Sequence, residues 1–381
     1  MTISLCLIVR NETGYMAGCV NSAKRFVDEV VIVDTGSTDG TVEMAWGLAD
    51  TFCEVPFDGD FSAARNEALV RASGDWILFL DADERLIDNE AVALVKYLSN
   101  VADDVLGLRL LRYNFFADGG FYTGRELKVF RNRPDIQYRR KINESVAASI
   151  EDTGGRVMAA PVIMNHFGHC RTVAEREKKA YTYLSIMDAQ LRERPGDGVV
   201  LGYKGLIFRS LGRFADALDC SDHSLAIAPG SATVWLFRGH VLRSVGRDGE
   251  ALEAYRRGMD LSPQPAAFHN MAGLQLVALG QLKDAAQEFR AARRLDPELV
   301  HADINLGLLA QAEGDWAEAA ALFRRAGARN PGFYHDEFTG RVERDPFRAF
   351  YNETILGYAG LGYHLGYCVQ RLADGIPASG R

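Results

Sequence analysis

The first half of the chain alternates two hydrophobic rhythms. Ile3 to Val9, Glu29 to Asp34, Thr51 to Val55 and Trp76 to Leu80 are short, nearly continuous apolar runs, as expected of strands buried on both faces of a parallel sheet. Between them, apolar residues recur at helical spacing over Gly14 to Phe26, Thr41 to Ala49 and Phe61 to Ala72. The alternation predicts right-handed β-α-β crossovers on a mostly parallel sheet with helices on either side. Ile3 to Val9 lacks a basic lead-in and a cleavage site and is too short to span a bilayer, so it reads as the first strand and not as a signal peptide.

The second half keeps a different beat. Pro195, Pro229, Pro263, Pro297 and Pro331 stand 34 residues apart, as do Gly212, Gly246, Gly280 and Gly314. Ala217, Ala251, Ala285 and Ala319 repeat the step, and so do Gly205, Gly239, Gly273 and Gly307. A period of 34 residues matches tetratricopeptide repeats, in which paired helices pack through small residues, a glycine ends the first helix and a proline stops the second. Trp235, Tyr255, Phe289, Trp316 and Phe323 then read as packing between helices. Leu184 to Arg194 reads as the last helix of a degenerate half-repeat, leaving no flexible linker. After Pro331 the period is lost. Phe347, Tyr351, Thr354, Tyr358, Leu361, Leu365 and Leu372 mark one face of a helical pattern interrupted by Gly357, Gly360, Gly362 and Gly366, read as a cap on the last repeat, with a dimer contact as the alternative.

Composition narrows the chemistry. A chain of 381 residues accommodates two domains, and its net charge of -8 argues against a broad nucleic-acid or anionic-membrane footprint. Phosphate would have to be met locally, by a metal, a few arginines or backbone amides. Cys6, Cys19, Cys53, Cys170, Cys220 and Cys368 are scattered, with no paired spacing that suggests a zinc site or a disulfide framework, so a reducing cytoplasm is the default compartment.

The most direct chemical signal is Asp75 to Glu84, D-W-I-L-F-L-D-A-D-E, where an apolar strand ends in Asp81 and Asp83. Ligands of open α/β sheets bind outside the carboxyl ends of the strands, where two hard carboxylates suit Mg2+ or Mn2+ against a diphosphate; the plainer reading is an acidic turn capping the next helix. Asp34 ends another strand and is a candidate for a ribose or base. The loop Asp34 to Gly40 precedes a helix but lacks both the dinucleotide and the P-loop spacings, so its ordinary reading is a glycine turn with Thr38 or Asp39 as N-cap. Arg65, in D-F-S-A-A-R-N at 60 to 66, would either pair with a surface acid or reach inward towards Asp81.

Taken together, V-R-N-E at 9 to 12, V-I-V-D-T-G-S-T-D-G-T at 31 to 41, D-F-S-A-A-R-N at 60 to 66 and W-I-L-F-L-D-A-D-E at 76 to 84 resemble the family 2 glycosyltransferases of the GT-A fold. In particular they resemble the bacterial group with C-terminal tetratricopeptide repeats, which includes S-glycosyltransferases of bacteriocin peptides. The resemblance, which covers the chain to about residue 331, implies an α/β GT-A domain, Rossmann-like, over residues 1–170; the 34-residue period and the helical pattern after it add a connecting helix or half-repeat over 171–197, four repeats over 198–331 forming an all-α solenoid, and a capping helix and tail over 332–381.

It also implies roles. Val9, Arg10, Asn11 and Glu12 would line the nucleotide pocket, Asp34 with Ser37 would hold the uracil or ribose end, and Arg65 and Asn66 would support the nucleotide. Asp81, Ala82 and Asp83 would complete the donor site, Asp81 nearer the ribose and Asp83 nearer the metal. His166, in N-H-F-G-H, resembles the histidine that closes the domain and often joins the metal or the diphosphate; His169 has no such support. Lys141 to Glu144 resembles a later motif that usually reads Ile-His-Glu, but Asn143 stands where the histidine would be. Glu144 would be the general base, its plainer reading a helix-start carboxylate. The expected activity is a cytoplasmic, inverting, metal-dependent transfer of a hexose from a UDP-sugar to a Cys or Ser/Thr of a peptide or protein, with the repeats as the candidate holder of that acceptor. The other readings are a small-molecule or saccharide acceptor and a nucleotide-sugar-binding scaffold without turnover. The chain lacks the Q-x-x-R-W motif of membrane polysaccharide synthases and the glycine-rich basic loop of sugar-1-phosphate nucleotidyltransferases.

Overall fold

The computed structural model describes residues 1–116, 121–262, 265–330 and 360–374. The chain divides into two compact units: Met1–Phe115 with Thr123–His169, and Phe116–Tyr122 with the chain from Cys170 onward.

The first unit is built on strands β1 (Ile3–Val9), β2 (Glu29–Asp34), β3 (Thr51–Glu54), β4 (Trp76–Phe79), β5 (Glu84–Leu86), β6 (Val105–Phe116), β7 (Phe121–Arg131) and β8 (Arg156–His169), in the order β3-β2-β1-β4-β7-β6-β8-β5. The four apolar runs read from sequence are β1 to β4. They pair in parallel, and helices α1 (Met16–Ala23), α2 (Thr41–Leu48) and α3 (Phe61–Arg71) connect them. The sheet as a whole is mixed, because β7 joins β4 antiparallel and β5 joins β8 antiparallel. One face of β1 packs Leu5, Leu7 and Val9 with Met16, Cys19 and Val20 of α1; the other turns Cys6, Val31, Val33, Ile77 and Phe79 to Ala68 of α3. Burial on both faces is why these strands read as unbroken apolar runs. Helices α4 (Asp88–Leu98) and α5 (Ala147–Asp152) complete the unit.

The second unit opens with α6 (Val173–Glu193), longer at its start than the helix expected from Leu184. A capping box between Thr172 and Glu175 begins it, satisfying N–H groups that would otherwise face solvent. Four helix pairs follow: α7 and α8 (Gly198–Ser210, Phe214–Ile227), α9 and α10 (Ala232–Ser244, Asp248–Leu261), α11 and α12 (Ala266–Ala278, Leu282–Leu295), and α13 and α14 (Val300–Glu313, Trp316–Arg329). Gly212, Gly246, Gly280 and Gly314, between the helices of each pair, have φ of 71 to 79°, a left-handed turn that glycine takes without penalty. Gly239, Gly273 and Gly307 have another role: a β-carbon there would come within 2.3 to 2.6 Å of the Tyr255, Phe289 and Phe323 rings. Each of the last three repeats thus seats a fully buried aromatic ring of its second helix against the bare backbone of its first.

Helix α15 (Leu361–Ala373) packs on α14 through Leu361, His364 and Cys368. The buried face follows the expected one only in part: Leu361 is shared, but Leu365 is half-buried and Leu372 is exposed. Phe347, Tyr351, Thr354, Gly357 and Tyr358, like Pro263 and Pro331, lie outside the described residues. Among the described residues, no helix is long and apolar enough to cross a membrane.

Candidate active site

Register brings the candidate residues to one edge of the sheet. Val9 is in register with Asp34 and Cys6 with Phe79, so the carboxyl ends of β1, β2 and β4 open side by side. Pairing of β5 with β8 sets Glu84 opposite His166, which carries a histidine from the end of the domain to the Asp81–Asp83 turn.

At the β1 and β2 ends two loops are laced together. The buried Asp34 carboxylate accepts from the backbone N–H of Gly36 and of Ser37, both at 2.8 Å, and from the Ser37 hydroxyl. Ser37 Oγ also accepts from Asn11 N–H at 2.9 Å, and Asn11 Oδ1 accepts from Thr38 N–H at 2.8 Å. Glu12 N–H donates to Thr41 Oγ1 at 2.7 Å. Asn11 has φ of 57°, a left-handed conformation that asparagine tolerates better than most residues. Arg10 lies over the Phe57 ring at 5.9 Å, Val9 is buried, and Asp39 sits one place ahead of the N-cap, Gly40, accepting from Thr41 N–H at 3.0 Å.

The carboxylate cluster at the end of β4 is more polar than sequence suggested. Asp81 accepts from Arg65 Nη2 at 2.8 Å on one oxygen and from Lys128 Nζ at 3.0 Å on the other. Burial alone would raise the Asp81 pKa, but Lys128 and Arg65 hold it well below the usual carboxylate range. Glu84 is fully buried; it accepts from Asp81 N–H at 2.9 Å, meets Lys128 at 2.7 Å and Arg112 at 3.3 Å. Burial opposes the Lys128 ammonium, yet Asp81 and Glu84 raise its pKa above the ordinary lysine value. Cys19 Sγ donates to the Asp81 carbonyl at 3.3 Å beneath the turn, and Ala82 is buried.

Asp83 faces a different partner. His166 Nε2 lies 3.4 Å from Asp83 Oδ1, while His166 Nδ1 lies 2.8 Å from Asn114 Oδ1. Because Asn114 Oδ1 only accepts, Nδ1 carries a proton, and Nε2 is the ring nitrogen that faces the Asp83 carboxylate. An imidazole nitrogen and a carboxylate oxygen at that separation suit either a shared proton or a divalent cation. Gly168 keeps the space open: a β-carbon there would fall 2.6 Å from His166 Nε2 and 3.0 Å from Asp83 Oδ2. These residues fit a divalent ion. Asp81, the third residue of the expected set, faces Arg65 and Lys128 instead, and no cluster of three or more His, Cys, Asp or Glu able to hold a metal occurs among the described residues.

Segment D-F-S-A-A-R-N faces the Glu144 loop. Arg65 is buried, lies 4.7 Å from the Phe79 ring centroid and 5.3 Å from that of Tyr138, and donates from Nε to Glu144 at 2.7 Å. Asn66, expected beside the nucleotide, has both amide atoms on the backbone of Tyr138. Asn143 has φ of 52°, a left-handed conformation that asparagine tolerates better than most residues. Lys128, Arg112, Asn114 and Glu84 escaped the sequence reading. Their one signal there is a polar residue interrupting an apolar strand, as Lys128 does in L-K-V-F and Asn114 in Y-N-F-F.

Residues 4–163 match the model of Glycosyl transferase family 2, and residues 232–265 and 270–332 match two models of the Tetratricopeptide repeat. The chain is 34% identical over 209 residues to a TPR repeat-containing protein of Synechococcus elongatus, covering 53% of this chain and 51% of that one. It is 33% identical over 137 residues to the lipopolysaccharide core biosynthesis glycosyltransferase LpsC of Rhizobium meliloti, covering 35% and 49%. Over 90 residues it is 36% identical to the glycosyltransferase SunS of Bacillus subtilis, covering 22% and 20%. The chain thus spans about half the length of the first two relatives and less of the third. Among solved structures, MamA matches 42% of this chain and 95% of its own at 17% identity and a TM-score of 0.35.

Proposed function

We propose that this chain, which carries a family 2 glycosyltransferase domain over residues 4–163 followed by tetratricopeptide repeats, transfers a hexose from a UDP-sugar to a cysteine or serine/threonine side chain of a peptide. The observation that carries the donor half is the meeting of Asp83 with His166 at the carboxyl end of β4, beside Asp81 with its two cations. Val9, Arg10, Asn11, Glu12, Asp34 and Ser37 form the nucleoside end, where the laced loops hold their backbone groups fixed. Asp81, Ala82 and Asp83 meet the ribose and diphosphate. Asp83 and His166 would hold Mg2+ or Mn2+, and a divalent ion there would neutralise charge on the departing diphosphate.

Glu144 lies across Arg65 from Asp81. It takes the proton of the acceptor S–H or O–H as that atom bonds to the anomeric carbon, and the carbon–oxygen bond to UDP breaks with its electron pair on UDP. Attack from the face opposite UDP inverts the anomeric centre. A thiol needs the least help from the base, being partly ionised near neutral pH. The repeats support a peptide acceptor, since solenoids of this kind commonly hold extended peptides. A saccharide acceptor is the second reading, favoured by the relative named for lipopolysaccharide core biosynthesis.

The test is incubation with a panel of UDP-sugars, Mn2+ or Mg2+, and peptide or saccharide acceptors, followed by UDP release and mass spectrometry. A hexose mass increment on a peptide is expected. Metal-dependent UDP binding with neither transfer nor hydrolysis across the panel would instead indicate a non-catalytic scaffold.

A further inference from the structure

The start of α3 grips the segment that carries Glu144. Phe61 N–H donates to the Lys141 carbonyl at 3.0 Å and the Ser62 hydroxyl to the Arg140 carbonyl at 2.5 Å. Asn66 donates to the Tyr138 carbonyl at 3.0 Å and accepts from Tyr138 N–H at 2.8 Å, pairing with that peptide as a neighbouring strand would. The segment also closes on itself, through two backbone hydrogen bonds between Arg139 and Ser145. Inside it, Arg140 and Asn143 have φ of 85° and 52°, conformations that persist only where the surroundings impose them.

Arg65 sits between these grips. Its Nε–H goes to Glu144 and its Nη2–H to Asp81. One guanidinium thus donates to both carboxylates through two nitrogens held in a fixed planar geometry. Stacking on Phe79 and Tyr138 fixes the plane itself. A carboxylate at the donor end and one at the acceptor end are therefore set by a single rigid fork.

We infer that Arg65 is a positioning residue that couples Asp81 to Glu144, and that Asn66 is the mount that fixes the Glu144 segment under it. This rests on the reading of Glu144 as the base. Lysine at position 65 keeps the charge but, as a single point donor, cannot serve both carboxylates in one geometry.

The experiment compares full-length wild type, Arg65→Lys, Glu144→Gln, the double variant and Asn66→Ala. It reads turnover at saturating UDP-hexose with a peptide acceptor, UDP affinity with Mn2+ by calorimetry, and hydrogen exchange over residues 138–145. Arg65→Lys and Glu144→Gln are each expected to lower kcat about 100-fold or more. The double variant should fall no more than about 3-fold below Glu144→Gln, because the two residues act as one unit. UDP affinity should stay within about 3-fold of wild type, and exchange over 138–145 should quicken in both Arg65→Lys and Asn66→Ala. Wild-type turnover in Arg65→Lys, additive losses in the double variant, or unchanged exchange in both variants would overturn the inference. Failure of the transferase reading looks different: wild type turns over no donor, while exchange over 138–145 still responds to both substitutions.

Discussion

Lys128 Nζ reaches Asp81 from the neighbouring strand β7, 3.0 Å from Oδ2, and the same ammonium meets Glu84 at 2.7 Å. The antiparallel register of β4 with β7 dictates this: Leu78 is opposite Val129, so one step further sets Lys128 across from Phe79, under the turn. Removing the ammonium would leave the fully buried Glu84 facing Asp81 with Arg112, at 3.3 Å, as its cation. Lys128→Met is therefore expected to destabilise the protein by about 3 kcal/mol, as for a buried ion pair stripped of one partner. Urea unfolding checks this, and a variant as stable as wild type would show that Lys128 does not hold the turn together.

Gly168 tests the cation site without altering a ligand. Its missing side chain is what leaves room beside His166 Nε2 and Asp83 Oδ2. Gly168→Ala should reduce Mn2+-dependent UDP affinity about tenfold or more, in the range seen when the surroundings of metal ligands are disturbed. Metal-free UDP binding should change little. Calorimetry with and without Mn2+ separates the two, and an unchanged Mn2+ dependence would place the cation elsewhere.

What sequence made legible is what is periodic or continuous. β1 and β2 end where their apolar runs end, and the 34-residue step fixes every glycine turn of the solenoid. Strands β6 and β8 were missed because they are long and carry mixed polar residues, Arg112 and Asn114 in one and Asn165 and His166 in the other. The site was half legible for a related reason. A strand-end carboxylate announces itself locally, whereas the partners of Arg65, Asn66 and His166 lie 79, 72 and 52 residues away, and no local pattern encodes pairing across such distances. Arg65 is the clearest case: an arginine on a helix is ordinarily a surface residue, and here burial under Phe79 and Tyr138 decides otherwise.

The two kinds of repeat glycine should respond differently. A β-carbon at Gly273 would meet the Phe289 ring at 2.5 Å, whereas at Gly205 the nearest atoms, the Ala217 carbonyl oxygen and Cys220 Cβ, lie at 3.2 and 3.3 Å. Gly273→Ala forces overpacking, with an expected loss of about 1 to 3 kcal/mol. Gly205→Ala should be milder, because the first repeat has Ser221 where the others place an aromatic ring. Thermal unfolding of the full chain ranks them, and the reverse order would contradict the packing described.

The last prediction concerns acid. Asp81 is held below the usual carboxylate range in the folded protein, because Lys128 and Arg65 outweigh burial. In the unfolded chain it should titrate near about 3.9. A depressed folded value means that the folded state binds fewer protons than the unfolded one between the two values, so stability falls as pH falls through that interval. Above the unfolded value the contribution is complete and constant. Asp81→Asn removes the titrating group, leaving Lys128 and Arg65 to a neutral amide. The stability gap between wild type and Asp81→Asn, from urea unfolding at a series of pH values, should thus be flat from pH 7 to about pH 5 and shrink below about pH 4. A gap that instead narrows as pH rises from 5 to 7 would mean that Lys128 loses its proton in the folded protein, contrary to the raised pKa its two carboxylates give it.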